Sequence, residues 1–471
     1  MDSSTSACKV QVRDAESGVH VSSGRAPHPT TTPPRSEQHP SVWEAALIEA
    51  FAQAGVPTTH RPDALAVAAQ QHGLVVLGDK HEVLRPAKLW NDTESAQDTK
   101  ELLAELAGGP AAWAAACGSV PVPAFTITKL RWMRRCERDT LRRASAVMLP
   151  HDWLTFRLTG RRVTDRGDAS GTGYWSPAES RYRVDILRDL VDDEVDWDVT
   201  LPEVLSPRAV AGEWSANLIG AQVGPGTGDN MAAALGLGLR PGDLALSLGT
   251  SGTAFMVRDE VSADATGTVA GFADATGRYL PLVCTMNATK VTDAVARLVG
   301  VDHEQFDELA LQARPGASGL VLVPYFDGER TPNLPDAKGV LTGLRSDVTP
   351  AELARAAIEG VVCNLLAGAD ALGWDGARGR IFFIGGAARS AAYRRVIADL
   401  TGRAILVPSD EEIVATGAAV QAAAVHLGCD FSGVAEEWRL GADGDVVEPD
   451  ESVDRVAIRS AYAVAAGRAT G

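Results

Sequence analysis

The chain has 471 residues, of which 45% are hydrophobic and 22% charged, and this length predicts two or three globular domains rather than one core. Its net charge of −17 argues against nucleic acid or an anionic membrane surface as a partner. No apolar run approaches the roughly 20 residues that cross a bilayer, no signal peptide is recognisable near Met1, and the six cysteines are scattered, which together indicate a cytoplasmic protein with free thiols.

The first predicted element is a β-hairpin over residues 8–24, "CKVQVRDAESGVHVSSG", in which two alternating stretches flank a turn at residues 16–18. A loop rich in proline and threonine follows, and then a helix that is capped at Ser41 and ends at Gly55. One face of this helix is apolar and predicts a buried surface formed by Trp43, Leu47, Ala50 and Phe51.

Residues 64–78, "ALAVAAQQHGLVVLG", predict a strand, a polar interruption and a second strand. The spacing then predicts helices around 94–107 and 136–158, and a loop at 170–176, "SGTGYWS". Near Gly224 the sequence becomes a glycine-rich loop that leads into a helix of small residues, "VGPGTGDNMAAALGLGL".

A new strand–turn–strand pattern, "GDLALSLGTSGTAFMV", begins at Gly242 and places the domain boundary just before it. We therefore expect an N-terminal lobe over 1–240 and a C-terminal lobe over 241–471. In the second lobe, strands at 319–325 and 380–385 flank a helix at 350–372, and a long helix covers about 413–427. Strands that alternate with helices predict an α/β fold with helices on the sheet faces.

The two halves share a short stretch, which indicates a duplicated fold. Laying "MDSSTSACKVQVRD" over "LSLGTSGTAFMVRD" aligns Met1 with Leu246, and the matching pairs are Thr5 with Thr250, Ser6 with Ser251, Val12 with Val257, Arg13 with Arg258, and Asp14 with Asp259. The second turn follows a strand, "GDLALS", whose counterpart in the first half would lie ahead of Met1. We expect that missing first strand near the middle of its sheet, and a working protein that begins some residues upstream.

Three loops of small residues are candidate phosphate sites. The turns "DSSTS" and "LGTSGT" let consecutive N–H groups point at one spot, and two such turns could hold a polyphosphate from both sides of a cleft. The third loop is "FIGGAARS", where glycines follow a strand and precede a helix. Ordinary hairpin turns are the alternative interpretation.

Asp229 lies in "GTGDN", after glycines and before a helix. It could be a helix N-cap, for which aspartate is a favoured residue. It could also be a general base for phosphoryl transfer, which needs a carboxylate within hydrogen-bonding reach of the attacking hydroxyl. The two roles are compatible.

Two further stretches suit a sugar. His72 interrupts an apolar strand pair and is flanked by Gln71 and Gly73, which suggests a polar opening rather than a core histidine. Trp90 heads "WND", an aromatic surface beside two polar groups, although an Asx turn at a strand end would give the same pattern.

The order of these motifs resembles the FGGY class of carbohydrate kinases, and is especially similar to xylulokinases. The motifs that carry the resemblance run from Asp2 to about Val425: "DSSTS", "AQQHG", "LRPAKLWND", "FTITKLRW", "GTGDN", "SLGTSG", "PYFDGERTPN", "ELARAAIEGV" and "GGAARS". The resemblance implies two actin-like (ribonuclease H-like) α/β lobes with ATP and a sugar in the cleft between them. It implies the phosphorylation of the primary hydroxyl of D-xylulose.

The resemblance also implies a role for each matching residue. Asp229 would be the catalytic base, Asp2 would help to place Mg²⁺, and the sugar would be contacted by Gln71, His72, Trp90, Asp229 and Asn230. The phosphates would be bound by Thr5 and Ser6 in the first hairpin and by Gly249, Thr250, Ser251 and Gly252 in the second. Adenosine would lie against Gly385, Gly386 and Ala387, with Arg389 close by.

Several alternatives stay open at this point. A few side chains decide between polyols, so ribulose, another pentulose or a pentitol is an alternative substrate. A catalytically impaired protein of the same fold that binds sugar or nucleotide is an alternative function, although such a protein would have no need of a base. A homodimer is possible, and no nucleic-acid or membrane partner is expected.

Overall fold

The computed structural model describes residues 1–214 and 220–469, which form two compact units. The first unit comprises Met1–Leu239, Arg258–Leu280 and Glu412–Leu440, and the second comprises Arg240–Val257, Pro281–Glu411 and Gly441–Gly471. The chain therefore returns to the first unit twice after leaving it. The expected lobe boundary between residues 240 and 241 stays a prediction.

In chain order the strands are β1 (Asp2–Ser3), β2 (Ala7–Arg13), β3 (His20–Pro27), β4 (Glu37–Gln38), β5 (Ala64–Leu65), β6 (Ala68–Ala69), β7 (Val75–Leu77), β8 (Ala87–Lys88), β9 (Ala146–Met148), β10 (Val163–Asp165), β11 (Trp175–Ser176), β12 (Arg181–Tyr182), β13 (Glu203–Leu205), β14 (Gly212–Trp214), β15 (Ala221–Val223), β16 (Thr227–Gly228), β17 (Leu244–Leu248), β18 (Gly252–Met256), β19 (Ala270–Ala273), β20 (Tyr279–Thr285), β21 (Val321–Val323), β22 (Val340–Thr342), β23 (Ile381–Ile384), β24 (Ile405–Pro408) and β25 (Gly444–Val447).

The α-helices are α1 (Ser41–Gln53), α2 (Ala96–Glu105), α3 (Gly109–Cys117), α4 (Thr126–Cys136), α5 (Arg138–Arg142), α6 (Pro150–Thr159), α7 (Arg166–Ser170), α8 (Val184–Leu190), α9 (Trp197–Thr200), α10 (Asp229–Gly236), α11 (Thr289–Val299), α12 (His303–Gln312), α13 (Pro350–Ala371), α14 (Ala391–Thr401), α15 (Ile413–Leu427), α16 (Phe431–Glu437) and α17 (Arg455–Ala469).

The main sheet of the first unit has the strand order β16-β6-β1-β2-β3. Strands β16, β6 and β1 run parallel to one another, with Asp2 opposite Ala68 and Gly228 opposite Ala69. Because the carboxyl ends of parallel strands meet at one edge, the segments that follow these three strands emerge together, and such an edge is where α/β proteins bind ligands. Asp2, Gln71 and Asp229, which are described below, lie in these strands or follow them.

The predicted hairpin at 8–24 is confirmed, since β2 pairs antiparallel with β3. Helix α1 packs on these strands through the side chains expected on its apolar face. Ser41 is the first residue of the helix, however, and Pro40 holds the cap position, so the predicted serine cap is wrong. Strand β1, of two residues, lies third among the five strands of this sheet, and the Met1 amino group donates to the Ala66 carbonyl oxygen at 3.1 Å. The expectation that a longer first strand lies ahead of Met1 stays a prediction.

In the second unit six strands pair in the order β20-β18-β17-β23-β24-β25. The predicted hairpin "GDLALSLGTSGTAFMV" is the antiparallel pair β17 and β18, and β17 also runs parallel to β23. The predicted helices at 350–372 and 413–427 are confirmed as α13 and α15, and the predicted strands at 319–325 and 380–385 as β21 and β23. The predicted α/β class is thus confirmed.

One local prediction in the first lobe is wrong, and a second is too long. The helix expected over 136–158 is interrupted by β9, a fully buried strand that pairs with β7, because burial and strand pairing of Ala146–Met148 override the helical spacing. The loop expected at 170–176 is confirmed for residues 171–174, whereas Ser170 ends α7 and Trp175–Ser176 form β11, which pairs with β12.

Helix α15 packs closely against α10 in the first unit, and glycines allow this approach. A Cβ atom added at Gly417 would lie 1.7 Å from the Ala232 carbonyl oxygen, and one added at Gly236 would lie 2.1 Å from the Ile413 oxygen. Backbone therefore packs on backbone at this crossing, which fixes the position of the helix that begins at Asp229.

Within the described ranges, no single helix is both long and apolar enough to cross a membrane. Among the same described residues, α15 and α16 reach that length and hydropathy only when taken together, and they are bent by 112° at the break between them.

Candidate active site

Asp229 is the first residue of α10 and follows β16 directly. Gly228 holds the cap position, so the interpretation of Asp229 as a helix N-cap is wrong. Its Oδ1 accepts hydrogen bonds from the backbone N–H of Asn230 at 2.8 Å and from Asn230 Nδ2 at 3.0 Å. The residue is partly exposed, as a group that must reach a substrate has to be.

The surroundings of Asp229 favour its protonated form. Burial among protein atoms, together with the negative charges of Asp2 and Asp168, raises the pKa of Asp229 to about 7. A carboxyl group with this pKa is a stronger base than an ordinary aspartate and is about half ionised at pH 7. Such a value is typical of a general acid–base residue.

Gln71 joins Asp229 through Asn230. Asn230 Nδ2 donates to Gln71 Oε1 at 2.9 Å, so one amide group contacts both the carboxylate and the glutamine. Gln71 is 4% exposed, and its Nε2 has no hydrogen-bond partner among the described residues. Gln71, Asp229 and Asn230, three of the residues predicted to contact the sugar, are therefore adjacent. The buried Nε2 group of Gln71 is available to donate to a further acceptor.

His72 follows Gln71 with φ +65°, a left-handed conformation that is uncommon outside glycine. Its Nδ1 lies 2.7 Å from the Gly171 carbonyl oxygen, and its ring stacks on Phe125 with centroids 4.7 Å apart. The ring is 8% exposed and fixed on two sides. The structure thus shows a well-held histidine beside Gln71, and its contact with a sugar stays a prediction.

Trp90 is linked to the first phosphate turn. Its Nε1 donates to Thr5 Oγ1 at 2.8 Å, and Thr5 Oγ1 lies 3.5 Å from Gln70 Oε1. Ser6, the other predicted phosphate ligand here, is exposed, and its carbonyl oxygen accepts from the His28 amide. The hydroxyl of Thr5 therefore couples the turn to the tryptophan and to the segment that leads into Gln71.

The polar residue two positions after Trp90 has a structural role. Asp92 is fully buried, and its Oδ1 accepts from the Glu94 backbone N–H at 3.1 Å, as in an Asx turn. The Lys88 ammonium lies 3.1 Å from Asp92, 2.5 Å from Glu94 and 3.2 Å from Glu37. The carboxylates of Glu37, Asp92 and Glu94 have the spacing of a metal site, but the Lys88 ammonium already pairs with all three of them.

Asp2 has the features of a ligand for a hard cation. It is 1% exposed, its Oδ2 accepts from Ser4 Oγ at 3.0 Å, and its Oδ1 has no hydrogen-bond partner within the described part of the chain. Burial raises the pKa of Asp2 to about 6, although Lys9, 3.9 Å away, opposes the shift. A buried carboxylate oxygen without a partner is a donor that suits Mg²⁺, so the residue fits the ion that the resemblance implies.

The second phosphate turn and the adenosine loop lie at one edge of the sheet in the second unit. Strands β17 and β23 are parallel neighbours, so the turn at 249–251 and the loop at Gly385 emerge side by side. Gly385 has φ +89°, and a Cβ atom added there would lie 2.5 Å from the Leu248 carbonyl oxygen. Only glycine permits this approach.

The rest of these two loops has the features expected of an anion site. The backbone N–H groups of Thr250 and Ser251 donate to no group of residues 1–214 and 220–469, so they are available to donate to a ligand. Gly386 and Ala387 begin a 3-10 turn that ends at Arg389, whose side chain is 75% exposed and 3.8 Å from Glu411. Binding of phosphate and adenosine here stays a prediction.

No motif in the sequence indicates a buried charged cluster that lies beside β16 in the first unit. His151 Nδ1 lies 2.7 Å from Asp168 Oδ2, and Nε2 lies 3.1 Å from Asp152 and 3.8 Å from Asp165. Burial disfavours the imidazolium, but the three carboxylates outweigh it and raise the pKa of His151 to about 9. Thr227, two residues before Asp229, donates to Asp165 Oδ2 at 2.8 Å, so the cluster anchors the strand that carries the candidate base.

Comparisons with known proteins match most of the chain. The model of the FGGY family of carbohydrate kinases, N-terminal domain, matches residues 1–236, and that of the C-terminal domain matches residues 244–426. A protein named xylulose kinase from Streptomyces rubiginosus is 45% identical over 468 residues, which cover 97% of this chain and 94% of the relative. The relative of the same name from Streptomyces coelicolor is 45% identical over 461 residues, 96% of this chain and 93% of the relative.

A solved structure shows the same likeness in three dimensions. The crystal structure titled xylulose kinase from Bifidobacterium adolescentis superposes with a TM-score of 0.87 at 39% sequence identity. The match covers 99% of this chain and 98% of the other chain.

Proposed function

Because this chain belongs to the FGGY family of carbohydrate kinases, we propose that it transfers the γ-phosphoryl group of ATP to the primary hydroxyl of D-xylulose, which gives D-xylulose 5-phosphate. Membership confirms the fold class expected from the sequence, a duplicated α/β fold of two actin-like (ribonuclease H-like) domains. The names of the relatives that match nearly the whole chain support the choice of sugar. The observation that carries the chemistry is the partly exposed carboxylate of Asp229, with its raised pKa, beside Asn230 and Gln71.

In this proposal Asp229 accepts the proton of the primary hydroxyl as that oxygen attacks phosphorus. The two hydrogen bonds from Asn230 orient the carboxylate before the sugar arrives, which lowers the entropic cost of reaching the reactive arrangement. The sugar is held by Gln71, His72, Trp90 and Asn230, whose mixture of amide, imidazole and indole groups suits a polyhydroxy compound.

ATP supplies the phosphoryl group, and Mg²⁺ offsets phosphate charge when bound. The Asp2 Oδ1 atom, which lacks a partner among the described residues, would hold the ion or its waters. Phosphate oxygens would accept from the turn that contains Thr5 and Ser6 and from Gly249, Thr250, Ser251 and Gly252. Adenosine would be bound by Gly385, Gly386 and Ala387, near Arg389.

A cytoplasmic location and a homodimer are further parts of the proposal. Sedimentation velocity of the purified chain would measure its oligomeric state.

The direct test is ADP release by the purified chain with ATP and Mg²⁺ and a panel of acceptors: D-xylulose, D-ribulose, xylitol and glycerol. We expect the highest kcat/KM with D-xylulose. A higher value with D-ribulose or xylitol would contradict the proposed substrate but not the kinase reaction. Binding of a sugar without turnover of any acceptor would contradict the kinase reaction itself.

We expect kcat/KM for D-xylulose to fall as the pH decreases through about 7, because Asp229 must be ionised to accept a proton and its pKa is raised to about 7. The activity should be restored fully when the pH is raised again. The measurement is a pH profile at saturating ATP, with direct sugar binding recorded at each pH as the control. A profile that is flat between about pH 5.5 and 8 would contradict the role of Asp229 as the base.

Replacing His72 with asparagine should raise the KM for D-xylulose about tenfold and leave the KM for ATP unchanged, because a sugar contact is made equally in the ground and transition states. Asparagine is chosen because it tolerates the positive φ at this position better than alanine does. Steady-state kinetics with each substrate varied in turn measure both constants. Equal rises in the two constants would instead indicate that the histidine only supports the surrounding segments.

A further inference from the structure

Glu329 is a buried glutamate at which three segments of the second unit meet. Its side chain is 1% exposed. Oε1 accepts from the backbone N–H groups of Met286 at 2.5 Å and Arg330 at 2.8 Å, and Oε2 accepts from the Nδ2 groups of Asn287 at 3.0 Å and Asn364 at 3.1 Å. One carboxyl group therefore links three segments to one another: the loop that contains Glu329, the segment after β20 and the long helix α13.

The segment held by Glu329 is the one that supports the turn at 249–251. The Ala288 N–H donates to the Thr250 carbonyl oxygen at 3.3 Å, and the Thr289 N–H donates to the Gly249 carbonyl oxygen at 3.0 Å. These bonds engage two carbonyl groups of the turn with the backbone of residues 288 and 289. An anion site requires this arrangement, since it must present N–H groups rather than carbonyl oxygens.

We propose that Glu329 is a positioning residue for this turn: it fixes residues 286 and 287, so that the next two backbone N–H groups hold the turn in the conformation that binds the phosphates of a nucleotide. The inference rests on the proposed kinase function. Its effect is indirect, because the hydrogen bonds that Glu329 accepts from residues 286, 287, 330 and 364 all come from outside the turn.

The chemistry around Glu329 fits a carboxylate. All four neighbouring groups are donors, and a carboxylate is an acceptor at both oxygens. Burial raises the pKa of Glu329, and the donated bonds oppose that shift. A glutamine of nearly the same shape would turn its NH₂ group toward one pair of these donors and leave them without an acceptor.

The experiment measures ADP binding to the full chain by calorimetry in the absence of sugar, together with steady-state rates. We expect Glu329→Gln to raise the dissociation constant for ADP about tenfold and to change the KM for D-xylulose by less than about twofold. The matched control is Glu359→Gln on α13. Glu359 is also buried, and it accepts from Arg355 Nε at 2.6 Å and from the Gly316 N–H at 2.9 Å, so its loss should lower stability without affecting ADP.

A second variant covers the case in which Glu329→Gln does not fold. Asn287→Ala removes the side-chain bonds to Glu329 and to the Gly328 carbonyl oxygen but leaves the Met286 bond, so the dissociation constant should rise about threefold. An unchanged constant in both variants, or an equal rise in Glu359→Gln, would overturn this proposal alone. Failure of the unmodified chain to bind ADP would overturn the kinase function as well.

Discussion

Asp229→Asn is expected to lower kcat for D-xylulose phosphorylation by about 10²–10⁴-fold, the usual contribution of a general base. ATP binding and the melting temperature should change little. The raised pKa shows that the fold disfavours the charged carboxylate, so a neutral carboxamide of the same shape is tolerated, and its oxygen can still accept from Asn230. Initial rates at saturating substrates, ATP binding and thermal unfolding measure the three quantities.

The matched control is Asp302→Asn at the start of α12. Asp302 is the N-cap of that helix and accepts from the Gln305 N–H at 2.9 Å, so this variant removes a carboxylate that serves only the helix end. It should lower the melting temperature slightly and leave kcat unchanged. If Asp229→Asn kept more than about a tenth of the rate, Asp229 would not be the base.

Gly417→Ala is expected to destabilise the first unit by about 3 kcal/mol or more, because the new Cβ atom would lie 1.7 Å from the Ala232 carbonyl oxygen. Backbone cannot yield as the end of a flexible side chain can, so α10 and α15 must separate. Asp229 is the first residue of α10, and a displaced helix would also lower kcat. Thermal unfolding should show a loss of at least about 6 °C, and the rate should fall more than the affinity for ATP.

Gly433→Ala on α16 provides the comparison for this effect. It is also a helical glycine of the first unit, but no described atom lies within 4 Å of the position that its Cβ would take. Alanine there should leave stability unchanged or raise it by up to about 1 kcal/mol, since alanine favours the helix. Similar melting temperatures for the two variants would contradict the tight crossing of α10 and α15.

Much of the fold and the site could be predicted from the sequence because their signals are local. The alternation that marks the hairpins, the long helical stretches at 350–372 and 413–427, and the glycines ahead of Asp229 all lie within short windows, and these features are confirmed. The order of the motifs was sufficient to identify the family, since many weak signals in one order rarely coincide.

The tertiary structure alone decided which distant groups meet. His151 and Asp168, or Glu329 and Asn364, have no regular spacing that distinguishes them from solvated charges. Strand β9 was mistaken for helix for a related reason: its burial and its pairing with β7 are long-range and override local spacing. The sequence by itself determined the family, the two hairpin turns and the place of Asp229 at the start of a helix, because these depend on local residue type and on residue order. The tertiary structure decided the buried networks that hold them, because the free energy of burying a charge depends on partners that only the folded chain brings within hydrogen-bonding distance.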